Sequence, residues 1–183
     1  RKLKHAGLRQ LEVGIETAEK EANDVYRRNT SNAKMLEVTN ILNELKVDVI
    51  YDVILDDPLS TENNKRQLFE LLMRFPRPFR LNLYSLTHFP KTVLTERLLK
   101  EGKITPSDVE GENSKTFKQF RLSLNCPRSQ EDIFWISLIT LISKNFIPKR
   151  IICWLSKSTF LYQHPFLLSL FAQVFNLLKM LFI

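Results

Sequence analysis

Residues 11–17 read LEVGIET, residues 35–45 read MLEVTNILNEL and residues 48–61 read DVIYDVILDDPLST. Leu11, Val13 and Ile15 alternate with Glu12, Gly14 and Glu16, which is the two-residue period of a strand. Residues 49–55 are nearly all apolar and rich in β-branched side chains, with Tyr51 and Asp52 inside the run. Such a run predicts a strand buried on both faces, as parallel sheets provide. Between the two, Met35, Val38, Ile41, Leu42 and Leu45 recur at helical spacing and predict a helix over 32–45. Strand, helix and parallel strand form a βα unit with a right-handed crossover. Both strands end in carboxylates, Glu16 after the first and Asp56 and Asp57 after the second. Ligands in α/β folds sit beyond the C-terminal strand ends, so these acids predict where a ligand lies.

The same grammar extends outward. Residues 1–6 read as a basic helix tail ended by Gly7. Thr17 reads as the cap of a short helix reaching Tyr26, and residues 27–30 as a polar break. Ser60 or Thr61 caps a helix whose inner face is Leu68, Leu71, Leu72 and Phe75. Pro76 and Pro78 precede a third strand over 79–86, in which Phe79, Leu81 and Leu83 alternate with Arg80, Asn82 and Tyr84. A further helix ends at Glu101 and Gly102. Three strand–helix repeats predict an α/β fold: over 1–103, the C-terminal βα units of a partial β/α (TIM-like) barrel. Residues 104–128 read as a linker, with a polar loop over 103–116 and an ambiguous segment over 117–124. Residues 129–183 read as an α-helical C-terminal extension. Ser129 and Asp132 open a helix over 130–143 as a capping box; Pro148 starts a helix over 149–158, and Pro165 starts the last.

With 183 residues the chain can bury one sizeable core. Four glycines leave no Gly-rich phosphate loop. The net charge of +7 is unevenly placed. The 51 residues after Asp132 hold no acid but carry Lys144, Lys149, Arg150, Lys157 and Lys179. Basic charge without acids points to an anionic partner; a membrane surface is expected and nucleic acid is not. Cys126 and Cys153 form no CxxC motif, suggest neither a disulfide framework nor a metal site, and fit a reducing compartment. The three histidines are scattered and none is assigned a ligand role. Residues 166–183 fall short of the ~20 apolar residues a membrane span needs. Gln173, Asn176 and Lys179 share one face there, while Phe171, Val174, Phe175 and Leu178 fill another. That suits a helix lying in the membrane interface, or one packing on the rest of the fold. A cytoplasmic location, peripheral to the inner face of the membrane, is the expectation.

AGLRQLEVGIET (6–17), Tyr26-Arg27-Arg28-Asn29-Thr30, YDVILDDPLST (51–61) and LNLYSLTHFPKTVL (81–94) resemble, in order and spacing, the C-terminal half of a radical S-adenosylmethionine (radical SAM) domain. The wording "D.I.D.P..T" followed by "NLYSLT.FP.T" is most similar to the cobalamin (B12)-binding group. The resemblance covers residues 1–103. It implies an enzyme that cleaves S-adenosylmethionine on a 4Fe–4S cluster, giving a 5′-deoxyadenosyl radical that abstracts hydrogen from a small-molecule or lipid substrate. Methyl transfer or ring formation would follow, with cobalamin as a further cofactor. The family's CxxxCxxC cluster loop is absent from this chain, and Cys126 and Cys153 do not replace three thiolates converging from one short loop. The chain begins as if inside a domain, so the cluster ligands are expected upstream and this chain alone is expected to be inactive. The alternative is a non-catalytic, truncated interaction or membrane-docking module.

The resemblance also implies site residues. Glu16 would accept the SAM ribose hydroxyls, or else cap the next helix. Gly14 would let the cofactor approach the backbone. Arg28 would pair with the SAM carboxylate through its bidentate fork, or stand solvated at a helix end. Asp56 and Asp57 would face cofactor and substrate respectively, or form a turn before Pro58. Asn82 would touch cofactor, and Tyr84 and Ser85 substrate, although Tyr84 also reads as core. No catalytic residue and no metal ligand is assigned within the chain.

Overall fold

Three parallel strands lie side by side in sequence order: β1 (Gln10–Glu16), β2 (Asp48–Asp56) and β3 (Arg80–Ser85). The computed structural model describes residues 2–113 and 129–181. Parallel neighbours need a crossover rather than a tight turn, and helices supply it. The short α1 (Lys2–His5) precedes β1, and α2 (Glu19–Asp24) and α3 (Asn32–Glu44) return the chain from β1 to β2. α4 (Glu62–Arg74) returns it from β2 to β3, and α5 (Val93–Lys100) follows. The predicted order of strands and helices over the first hundred residues is therefore observed.

Local chemistry sets the helix ends. The side chains of Ser31, Thr61 and Thr92 accept from the backbone N–H three residues on, at 3.1, 3.3 and 3.3 Å, which satisfies an orphan donor of each first turn. Gly7 and Gly102 close α1 and α5 with φ of 103° and 65°, where a side chain would be strained. Thr17 does not cap α2: Ala18 holds that position, and the Thr17 hydroxyl donates to Glu21 Oε2 instead. The inner face of α3 is Met35, Thr39 and Leu42, while Ile41 is exposed.

The register aligns Leu11 with Val49, and Val13 with Tyr51 and Leu81, so these apolar residues of the three strands share one face. Val49, Tyr51, Val53 and Leu55 are buried there, packed with Met35 and Leu42 of α3 and Leu68 and Leu72 of α4. The opposite face is covered far less: Gln10, Glu12 and Arg80 are exposed, and Ile50, Asp52, Ile54 and Asn82 half-buried. The apolar run of β2 is thus buried on one face rather than two, because α3, α4 and the C-terminal helices all contribute to the core on the same side.

α6 (Pro106–Asn113) stands where a loop over 103–116 was expected. Thr105 precedes the helix, Pro106 takes its first position, and Asp108 Oδ2 accepts from Thr105 N and Oγ1 at 2.7 and 2.8 Å; this is capping chemistry. Ile104 and Val109 bury against Leu98 of α5. The rest of the expected linker, with the segment 117–124 and Cys126, lies outside the described residues.

α7 (Gln130–Ile142) is buried at almost every position from Phe134 to Ile142. A helix apolar all round must be covered all round. α4 and β2 cover it on one side, and α8 (Lys149–Leu155), α9 (Thr159–Gln163) and α10 (Pro165–Leu181) on the others. Trp135 packs against Phe69 of α4 with ring centroids 5.7 Å apart, and Phe134 against Tyr162 of α9 at 5.1 Å. Lys65 Nζ of α4 bridges Glu131 and Asp132 at 2.7 and 2.5 Å, pinning α4 to the start of α7. The C-terminal helices therefore share one continuous core with the sheet. The helix expected over 149–158 ends at Leu155, and α9 forms as a separate turn.

Candidate functional site

The C-terminal ends of β1 and β2 lie together: Gly14 pairs with Asp52, and after an irregularity Glu16 pairs with Val53. Glu16 has φ 63°, a left-handed conformation uncommon for a residue with a side chain. Its carboxylate folds back over β1, and Arg28 Nη1 donates to Glu16 Oε1 at 2.5 Å. A Cβ at position 14 would sit 2.7 Å from Glu16 Oε1 and 3.5 Å from Arg28 Nη1. The absence of a side chain at Gly14 thus makes room for this ion pair. A cavity of about 400 Å³ opens beside it, with Gly14, Arg28, Asn29 and Lys34 among its lining and Met35, Val38 and Tyr51 as apolar wall. The structure therefore brings Gly14, Glu16 and Arg28 together as one unit.

A second group lies at the end of β2. Tyr26 Oη donates to Asp57 Oδ2 at 2.5 Å, and the Leu59 N–H donates to Asp57 Oδ1 at 2.8 Å. Both oxygens of Asp57 are thereby engaged: Oδ1 in the turn around Pro58, an arrangement typical of Asp in turns, and Oδ2 by the distant Tyr26. Burial pushes the Asp57 carboxyl up, and nearby Glu21 adds to it. Burial, with Asp57 beside it, also pushes the Tyr26 phenol up. Glu21 is 4% exposed; its Oε2 takes the Thr17 hydroxyl, and its Oε1 has no hydrogen-bond partner among the described residues. Asp57 is thus built into the fold. Of Asp56 only the backbone is described; it ends β2 opposite Ser85.

Of the third group only Asn82 was singled out from the sequence, as a cofactor contact; its hydrogen-bond partners Glu12 and Asp52 were not. On the open face of the sheet, Asn82 Nδ2 donates to Glu12 Oε1 at 2.9 Å and to Asp52 Oδ1 at 3.0 Å. Burial, opposed by the Asn82 hydrogen bond and reinforced by the Glu12 charge, pushes the Asp52 carboxyl up to about 6. Asp52 can therefore hold or release a proton near neutral pH, which is what general acid–base work requires. Tyr84 follows two residues after Asn82 and is half-buried, as is Ser85 at the strand end. The signal in the sequence was Asp52, a lone acid within an apolar run. Glu12 gave none, because it occupies an ordinary polar phase of the β1 alternation.

Other cavities lie elsewhere. One of about 540 Å³ is lined by Glu62, Phe69, Trp135 and Lys157, and one of about 570 Å³ by Asp48, Arg80 and Lys144 near the starts of the strands. Neither reaches the strand ends where the carboxylates gather. Among the described residues no group of three or more His, Cys, Asp or Glu side chains could hold a metal ion, and Cys153 is free on α8. The described residues do not fit a 4Fe–4S cluster, which needs converging thiolates. No family model matches the chain, and no curated protein matches it.

Proposed function

We propose that this chain supplies the C-terminal βα units of a radical SAM partial barrel and that the end of β1 holds S-adenosylmethionine. The observation that supports this reading is the juxtaposition of Glu16 and Arg28 over Gly14, at a parallel strand's C-terminal end and beside a cavity of about 400 Å³. A carboxylate accepts two vicinal ribose hydroxyls, and a guanidinium fork pairs with an amino-acid carboxylate. On binding, the Glu16–Arg28 pair would exchange its internal contact for these two. Bound SAM supplies radical chemistry once a reduced 4Fe–4S cluster is present, and in this reading the cluster cysteines, and a cobalamin domain, come from sequence upstream of the chain. The substrate, a small molecule or lipid, would lie over the open sheet face near Tyr84 and Ser85, with Asp52 holding or accepting a proton beside it. Methyl transfer or ring formation is the outcome this family reading favours.

Calorimetric titration of SAM into the full-length protein tests it. Glu16→Gln and Gly14→Ala are each expected to weaken SAM binding at least about tenfold, ~1.4 kcal/mol, with little change in thermal stability. Unchanged affinity in both variants would reject the site.

A second reading, a non-catalytic interaction module, is favoured by one feature: Glu16 and Arg28, like Tyr26 and Asp57, already satisfy each other without a ligand. It predicts no SAM binding by the wild-type protein and a small loss of stability in Glu16→Gln.

A further inference from the structure

We propose that the outer face of α9 and α10 is a docking surface for an anionic lipid bilayer. α10 has two opposite faces. Leu168, Ser169 and Ala172 are buried inward, in the part of the fold where α10 packs on α7. Phe166, Leu167, Leu170, Phe171 and Val174 point outward and are 71, 46, 49, 42 and 45% exposed. At 100° per residue these five fall within an arc of about 140°, so they form a single stripe. Phe160 of α9 is also exposed, and it joins Phe166 and Leu167 in lining one shallow apolar cavity together with His164 and Pro165. The stripe therefore continues from one helix to the next.

A soluble monomer rarely shows a contiguous apolar patch of this kind without a partner for it. Charge decides which partner. No Asp or Glu occurs in the 51 residues after Asp132. Arg150 and Lys157, in that stretch, are exposed. Glu131 and Asp132, the acids nearest in sequence to the cavity residue Gln130, are both committed to Lys65. Aromatic and aliphatic side chains in a stretch of chain that carries basic and no acidic residues match the boundary between acyl chains and anionic headgroups. Among the described residues no helix is long and apolar enough to cross a membrane, which agrees with a helix lying in the interface plane. Of the polar face expected on Gln173, Asn176 and Lys179, Gln173 is exposed and its amide donates to Ser169 at 3.3 Å; the side chains of Asn176 and Lys179 lie outside the described residues.

Flotation of the full-length protein with vesicles tests this, comparing neutral phosphatidylcholine with the same lipid containing about one-third phosphatidylglycerol. The expected result is recovery with anionic vesicles only, weakened by high salt as screening requires. Phe166→Ser combined with Leu170→Ser should cut recovery at least about tenfold while leaving the thermal midpoint unchanged, because both side chains face outward. Arg150→Gln with Lys157→Gln, which leaves the apolar stripe intact, should cut recovery from anionic vesicles as well. Failure of the wild-type protein to float, or equal flotation of the Phe166/Leu170 variant, overturns the proposal. A wild-type dimer that this variant converts to monomer, without vesicle binding, assigns the face to a second copy instead. None of these outcomes depends on SAM binding.

Discussion

Replacing Asp52 by Asn should stabilise the protein at neutral pH and leave it unchanged in acid. Asp52 shares the Asn82 amide with Glu12, and its carboxyl is raised from 3.8 to about 6, chiefly by burial. A raised carboxyl pKa means that the folded state keeps a proton which the unfolded chain has already lost. Stability therefore falls as pH rises from about 4 to about 6, and the cost is fully present above that window. Carried over in full, such a rise equals about 3 kcal/mol. Asp52 is only half-buried, and solvent screening reduces the figure to about 1 kcal/mol. Asn is isosteric: its carbonyl can still accept from Asn82, and its amide can donate to Glu12. Urea unfolding followed by circular dichroism should give Asp52→Asn an advantage of about 1 kcal/mol near pH 7.5 and none near pH 4. Parallel stability curves across that range, or a variant less stable near pH 7.5, would refute the assignment of Asp52 as a carboxyl raised chiefly by burial.

Lys65→Met should cost about 2 kcal/mol near neutral pH, because it strips Glu131 and Asp132 of their shared cation. Burial opposes it, but the bonds to Lys65 and Ser129 win and hold the Asp132 carboxyl below its usual value. The stabilisation is present above the unfolded carboxylate range and is lost as pH falls through the lower folded value, so the difference from wild type should shrink in acid; urea midpoints in the two conditions check it. Leu138→Ala, at a fully buried position in the middle of α7, should cost about 3 kcal/mol by cavity formation, read from the same unfolding curves. Tyr26→Phe removes one of the two donors to the buried Asp57 and should cost about 2 kcal/mol near neutral pH. A loss under half a kilocalorie there would mean that Asp57 is solvated, and would make it a candidate for ligand contact again.

The sequence alone determined the order and type of elements in the first hundred residues. Strand and helix periods, together with caps such as Ser31, Thr61 and Thr92, are local properties that each segment carries with it. The same holds for the opening of α7 at Ser129. Gly14, Glu16 and Arg28 were singled out one by one, through the family resemblance; the ion pair of Glu16 with Arg28 over Gly14 is a product of the tertiary structure. What the sequence missed depends on neighbours that are distant in the chain. The one-sided burial of β2 follows from where the C-terminal helices pack, and no pattern within residues 49–55 records that. The Glu12–Asn82–Asp52 group spans all three strands and exists only through their parallel register. Whether Asp57 faces a ligand or a turn was undecided until Tyr26, 31 residues away, took its free oxygen. The stripe on α10 shows the same division. The apolar residues of the helix were legible, but which side of it faces α7 and which is left outside was fixed only when the core closed, since burial depends on what lies opposite a residue and not on the residue itself.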